Sequence, residues 1–449
     1  MKKRFLILGL LVTSLLLSAC GNKDNGNNDT TDSYQSDFLM DPIPLPEGME
    51  GNIPETTQVV DGETDNDGGS SQGQLSFTDS AESTNALGYD LFAALPVDEN
   101  VCISPYSIEA ALAMGANAAS DVTLDEMLSV MHVEDLDGFN AGFADSMDKL
   151  TNDGMDIRVV NSVWYQKDMN TTEDFRSSYL PLLEDQYAAE SFDRNLSDAA
   201  TVNEINNWVK EATNNKIDKI VTDIDDSAYL LLLNAVYFNA KWERPFAAEL
   251  TYDETFHGLS GDKEVPFMHM RDKFFKYYEY KGIRAIRLSY SNSSTAMDIL
   301  IPADPDEDVT ALFNALTYEE KKELYQGLTD AEDQLIGNLR LPRFEFSSDA
   351  LSLRQTFVSL GMAKAFGDTA DFPVIADNAY ISDIVHKTYI RVDEEGTEAA
   401  AVTGAMVEAM SLPVGEPIPF EVDMPFVYYI SDTSDGTILF LGSMKDIEK

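Results

Sequence analysis

The chain has 449 residues, 44% of them hydrophobic and 10% aromatic, which supplies a large core and excludes disorder throughout. With 31 basic against 79 acidic residues the formal net charge is −48, so phosphate backbones would repel the chain and nucleic-acid binding is excluded. Two cysteines, Cys20 and Cys102, and four scattered histidines, His132, His257, His269 and His386, make neither a disulfide framework nor a metal-ligand pattern, so no metal and no cofactor is expected.

Residues 2 to 4 are Lys-Lys-Arg, and an apolar run from Phe5 to Leu17 follows, which is the pattern of a secretory signal too short to be a stable membrane span. It ends in Leu17-Ser18-Ala19-Cys20-Gly21, which resembles the bacterial lipobox. That resemblance implies cleavage before Cys20 and a lipid on its thiol, with residues 1 to 19 removed and the protein held on the outer face of a bacterial membrane through that lipid alone. From Asn22 to Ser70 the only cation, Lys23, stands against twelve acids. Such a stretch buries too little apolar surface to offset its ordering entropy, so residues 20 to 76 are expected to be an acidic disordered tether and 77 to 449 the globular domain.

Within the globular part, apolar spacing predicts helices over Ala86 to Leu95, Ile108 to Ala119 and Val202 to Ala212, the second after capping hydroxyls in Ser104-Pro105-Tyr106-Ser107. Tyr229 to Phe238 is almost continuously apolar and reads as a central strand buried on both faces. Further strands are expected at Ala296 to Ile301, Thr388 to Val392, Pro425 to Ile430 and Thr437 to Leu441, the last two joined by a hairpin at Asp435-Gly436. Helices first and strands later, without regular alternation, point to an α+β fold.

Glu394 to Glu408 has an unusual pattern. In a strand, Thr397, Ala399, Ala401, Thr403, Ala405 and Val407 would share one small or apolar face, while Glu398 and Glu408 would lie on the other. Small side chains could slip between strands that are already packed, where large ones would clash. Read alone, the stretch fits an exposed amphipathic helix as well, because alanine favours helix and Gly404 weakens a strand.

Several strings in sequence resemble one family, the serpins. They are Asn100-Val101-Cys102-Ile103-Ser104-Pro105-Tyr106-Ser107-Ile108; Leu233-Asn234-Ala235-Val236-Tyr237-Phe238 with Lys241-Trp242-Glu243-Arg244-Pro245-Phe246; Leu341-Pro342-Arg343-Phe344; Leu360-Gly361-Met362 with Phe366 and Ala370-Asp371-Phe372. His386-Lys387-Thr388, Glu394-Glu395-Gly396-Thr397-Glu398-Ala399-Ala400-Ala401 and Asp423-Met424-Pro425-Phe426 complete the set, in the family's order from about Phe77 to Lys449. The resemblance implies a helical bundle packed on three β-sheets, with an exposed reactive-centre loop, and a monomeric protein whose partner is a serine protease. It also implies the mechanism. The protease attacks the loop and forms an acyl-enzyme, the cut loop inserts into the central sheet as a new strand, and the dragged protease is distorted before water releases it. Inserting roughly 14 residues, at about 1 kcal/mol per ladder hydrogen bond plus apolar burial, makes a gain above about 10 kcal/mol reasonable, so the native state is a kinetic trap.

Individual residues carry over by the same resemblance. Sixteen positions after Glu394 is Met410, which makes Met410-Ser411 the scissile bond, while counting back from Pro425 reaches a position near Val414. An apolar residue there suits elastase-, chymotrypsin- or subtilisin-like pockets, and Glu395 to Pro419 offers no Lys or Arg to a trypsin-like one. Glu394, Gly396, Thr397, Glu398, Ala399, Ala400, Ala401 and Thr403 would be the insertion hinge. Glu394 with Arg343, and Trp242 beneath them, would close the top of the sheet, while Ser104, Ser107, Asn234 and His386 would form a polar cluster under its centre. No enzymatic function is expected, because Pro105 follows Ser104 and no Gly-x-Ser-x-Gly elbow is present. The alternative within the family is a non-inhibitory member, a protease substrate or binding protein at the cell surface; Val402 and Gly404 bear on insertion efficiency.

Overall fold

In a computed structural model, residues 75–152, 156–224, 228, 230–291, 294–348, 350–376, 379–397 and 416–448 are described. In chain order these form α1 (Ser80–Ala94), β1 (Val101–Ile103), α2 (Pro105–Ala116), α3 (Asp121–Met131), α4 (Leu136–Asn152), β2 (Asp156–Gln166), α5 (Leu180–Tyr187), β3 (Glu190–Arg194), α6 (Ala199–Ala212) and β4 (Leu230–Lys241). The chain continues through β5 (Thr251–Gly258), β6 (Gly261–Tyr280), β7 (Ile283–Ser289), β8 (Thr295–Pro302), α7 (Val309–Ala315), α8 (Tyr318–Asp330), β9 (Asp333–Pro342), β10 (Phe344–Ser347), β11 (Leu351–Ser352) and α9 (Arg354–Leu360). It ends with β12 (Val385–His386), β13 (Tyr389–Val392), β14 (Gly396–Thr397), β15 (Ile418–Glu421), β16 (Phe426–Asp432) and β17 (Ile438–Met444).

Local chemistry sets the helix starts earlier than apolar spacing alone predicts. The Asp79 carboxylate accepts the N–H groups of Ala81 and Glu82, so α1 begins six residues before Ala86. Ser104 caps α2 through the Ser107 N–H, and Pro105 at the first helical position gives up only an orphan donor, so this helix also starts before Ile108. Every residue of α2 is buried, which places it in the interior behind the central sheet.

That sheet has the order β10-β13-β14-β4-β2-β3. Strand β4 is buried on both faces, as its composition predicts, and its two faces serve different cores. Leu230, Leu232, Val236 and Phe238 join the main core with α1, α2 and the second sheet network, whereas Leu231, Leu233 and Ala235 pack with Ile205 and Val209 of α6. The remaining strands run β1-β17-β16-β8-β7-β6-β9-β15, with β5 also on β6. The 20-residue β6 serves two sheets, its end Tyr277–Tyr280 pairing with β7 and its earlier residues with β5 and β9. The network therefore divides at β6 into two sheets, which with the central one makes three, beside the short β11-β12 ladder. The α+β class follows directly. The β16-β17 turn closes as Asp435-Gly436 predicts, with Gly436 at φ +86° and its N–H donated to the Asp432 carbonyl at 2.8 Å.

Candidate functional site

The site is the gap at the top of the central sheet, where the chain leaves β13 and turns back as β14. Thr397 pairs with both Val392 of β13 and Ala240 of β4, and Gly396 with Lys241, so β14 is wedged between two longer strands. The sequence expectation held everything after Glu394 outside the sheet until cleavage; Gly396 and Thr397 are already seated. Close approach explains this, since a Cβ on residue 396 would lie 2.1 Å from the Ala240 carbonyl oxygen and 2.7 Å from the Lys241 Cα.

Around this wedge the polar groups are closely paired. Arg343, just past β9, donates from Nε to both carboxylate oxygens of Glu394, at 2.9 and 2.8 Å, and a further donation from its Nη2 completes a forked pair. Thr251 of β5 donates to the same carboxylate at 2.5 Å. Burial alone would push the Glu394 carboxyl up, but Arg343 and Thr251 outweigh it and hold the group below the usual carboxylate range. Trp242 donates its indole N–H to the Asp393 carbonyl at 2.9 Å and its backbone N–H to the Glu395 carbonyl at 2.9 Å, clamping the turn from two sides. Its ring stacks on Tyr290 with centroids 4.6 Å apart, and the Tyr290 hydroxyl meets the Thr397 hydroxyl at 2.6 Å. Both Tyr290 and Thr397 are 2% exposed.

A second polar cluster lies under the sheet centre. The Ser104 N–H donates to His386 Nε2 at 3.1 Å, Ser104 Oγ accepts the Ser107 N–H at 3.2 Å, and the Ser107 hydroxyl donates to the Asn234 carbonyl oxygen. Asn234 in turn donates to Asn161 of β2 at 2.5 Å, and Asn161 donates to the Tyr187 carbonyl at the end of α5 at 2.7 Å. One chain of hydrogen bonds thus ties α2 and β12 to β4, β2 and α5. Burial pushes the His386 imidazole down to about 3, so it is neutral and serves as an acceptor. The arrangement does not suit nucleophilic catalysis, because His386 Nε2 takes the Ser104 backbone N–H and no hydroxyl, and all these groups are shut away from solvent. Cys102 is buried as well, and burial pushes its thiol up to about 11.

The family model described as "Serpin (serine protease inhibitor)" matches residues 82–447. The chain is a serpin. Among related sequences, an uncharacterized serpin-like protein of Thermococcus kodakarensis is 36% identical, over 80% of this chain and 84% of its own length. The leukocyte elastase inhibitor of Bos taurus is 32% identical, over 79% of this serpin and 96% of the relative. The native crystal structure of the thermophilic serpin tengpin superposes with a TM-score of 0.73 at 30% identity, covering 82% of this chain and 94% of tengpin. The serpin fold, with helices and three sheets, is thereby shown, and serpins are in general protease inhibitors that act on serine proteases rather than catalysts.

Of the residues singled out in the sequence, the structure brings Arg343, Trp242, Glu394, Gly396 and Thr397 together at the sheet top, and Ser104, Ser107, Asn234 and His386 beneath its centre. Cys20, Glu398, Ala399, Ala400, Ala401, Thr403, Met410 and Ser411 lie outside the described residues. Sequence reasoning missed Tyr290, Thr251 and Asn161. Thr251 and Asn161 reach their partners from strands far off in sequence and Tyr290 from just past β7, and none falls in the strings that carry the resemblance.

Proposed function

We propose that this serpin is an irreversible suicide-substrate inhibitor of serine proteases with elastase-, chymotrypsin- or subtilisin-like pockets. The observation that carries this reading is the seated start of the hinge. With Gly396 and Thr397 already between β13 and β4, the next strand has a track before it, and Thr397 lies on the inward face that period-two alternation continues through Ala399, Ala401 and Thr403. Attack of the protease serine on the Met410 carbonyl breaks the Met410-Ser411 bond and leaves an acyl-enzyme at Met410. The freed hinge then zips into the central sheet, and the acylated protease travels with it. In this reading the protein acts as a monomer, its inhibitory partner joined covalently. It is secreted and held by lipid on Cys20 to the outer face of a bacterial membrane, with residues 20–76 as a tether that lets the domain meet proteases arriving at the cell.

Mixing the protein with an elastase-like enzyme and running a denaturing gel tests the reading. A covalent band near the sum of the two masses supports it, and cleavage fragments alone would make the protein a substrate. N-terminal sequencing of the smaller fragment reads the cut bond.

A further inference from the structure

The distal end of the loop is held differently from the proximal end. Strand β15 lies at the sheet edge and among the described residues pairs only with β9, in parallel register from Ile418↔Ile336 to Glu421↔Arg340. An edge strand held by one short ladder is easily peeled away. An uncut loop could fill the central sheet only by drawing this strand off β9, since its other end is fixed at Thr397. What holds β15 therefore decides whether the stored energy waits for cleavage.

Arg340 of β9 sits at the centre of that attachment. Its Nη2 donates to Asp423 at 3.0 Å, its Nη1 lies 3.6 Å from Glu421, and its Nε lies 3.0 Å from Glu254 on β5. Its backbone carbonyl accepts the Val422 N–H at 2.9 Å. Three carboxylates from two chain segments thus converge on one guanidinium. His269, opposite Arg340 on β6, is 2% exposed and stacked on Tyr252, and burial lowers its pKa, so near neutral pH it adds no charge. Without Arg340, Glu254 on one side of β6 and β9 and Glu421 and Asp423 on the other would lose the cation that sits among them. Arg284 of β7 gives a second hold, donating to the Pro419 carbonyl at 2.5 Å with its guanidinium 5.5 Å from the Phe420 ring centre.

We propose that Arg340 is a positioning residue for the inhibitory reaction, a charge latch that keeps β15 on the sheet edge so that only a cut loop inserts. This rests on the inhibitor reading, but its test does not require inhibition. The intact, uncleaved chain of wild type, Arg340→Met, Arg340→Lys and the double variant Arg340→Met/Thr397→Arg is incubated at pH 7.4 and 37 °C. Samples are melted over time, with intact mass checked by mass spectrometry. A higher-melting species of unchanged mass should accumulate about ten-fold faster or more in Arg340→Met than in wild type, more slowly in Arg340→Lys, which keeps the charge, and not at all in the double variant, whose buried cation blocks insertion. The latch is overturned if Arg340→Met converts at the wild-type rate, if it only melts lower without a high-melting species, or if the double variant converts as fast. Failure to trap a protease alongside normal conversion behaviour would instead count against the inhibitor reading alone.

Discussion

The hydroxyls of Tyr290, just past β7, and Thr397 of β14 meet at 2.6 Å although 107 residues apart in sequence, with the Trp242 indole stacked on the Tyr290 ring. The pair holds Thr397, the second residue of β14, in place between β13 and β4. In the proposed inhibitory reaction it sets the depth from which insertion starts after the loop is cut, and so the head start of insertion over deacylation.

Tyr290→Phe removes one hydroxyl and keeps the stacked ring. It leaves the buried Thr397 hydroxyl without this partner, at a cost of about 1 kcal/mol, or roughly five-fold in an equilibrium. The seated start is weakened, more acyl-enzyme hydrolyses before insertion, and the stoichiometry of inhibition should rise by up to about five-fold. Titration of protease activity against inhibitor measures it; an unchanged stoichiometry would mean that the hydroxyl pair plays no part in timing.

Glu394→Gln keeps the size of the side chain but removes the charge that the Arg343 fork grips. Arg343 is 44% exposed, so screening limits the loss to about 1 kcal/mol. Because Arg343 and Thr251 hold the Glu394 carboxyl below its ordinary range, the clamp is complete above that range and is lost as pH falls through the depressed folded value. Wild type should therefore show a loosening in the acid range, seen as a change in fluorescence of the adjacent Trp242, that the Gln variant lacks.

Thr397→Arg places a cation where the present side chain is 2% exposed and its hydroxyl meets that of Tyr290. An unpaired buried charge opposes seating and insertion together. The variant should be cut by an elastase-like enzyme at a normal rate yet trap little of it, so that fragments replace the covalent band on a denaturing gel. Full trapping by this variant would contradict loop insertion.

His386 sits at about 3 in the folded protein against an ordinary 6.5, because burial disfavours its charged form. The unfolded chain takes up the proton first on acidification. Stability is therefore complete above pH 6.5 and is lost progressively between 6.5 and 3, by at most about 5 kcal/mol from this one group. His386→Gln, which keeps an acceptor for the Ser104 N–H, should flatten that part of the stability–pH curve in denaturant titrations.

The legible parts of this fold were those in which one strand carries one pattern. Strand β4 announces two buried faces because Leu230, Leu231, Leu232 and Leu233 leave no polar side, and the Asp435-Gly436 turn needs only local chemistry. Strand β6 was not legible. It trades partners along its length and its burial follows no regular alternation, with Phe267, Met268, His269 and Met270 buried in succession. At the site, Arg343 and Glu394 were found through the strings that resemble serpins, whereas Tyr290 and Asn161 were not. Their contribution lies in where distant segments of the chain place a hydroxyl or an amide, which no local pattern encodes. The seated position of Gly396 was also beyond reach, since it depends on how near the Ala240 carbonyl comes.

The most direct measurement is the melting temperature of the protein before and after a single cut in the loop by a protease that leaves the rest of the chain intact. Insertion of the freed strand predicts that nicked protein melts well above intact protein. Equal or lower melting of the nicked form would mean that no strand is stored for release, and would contradict the inhibitory mechanism as a whole.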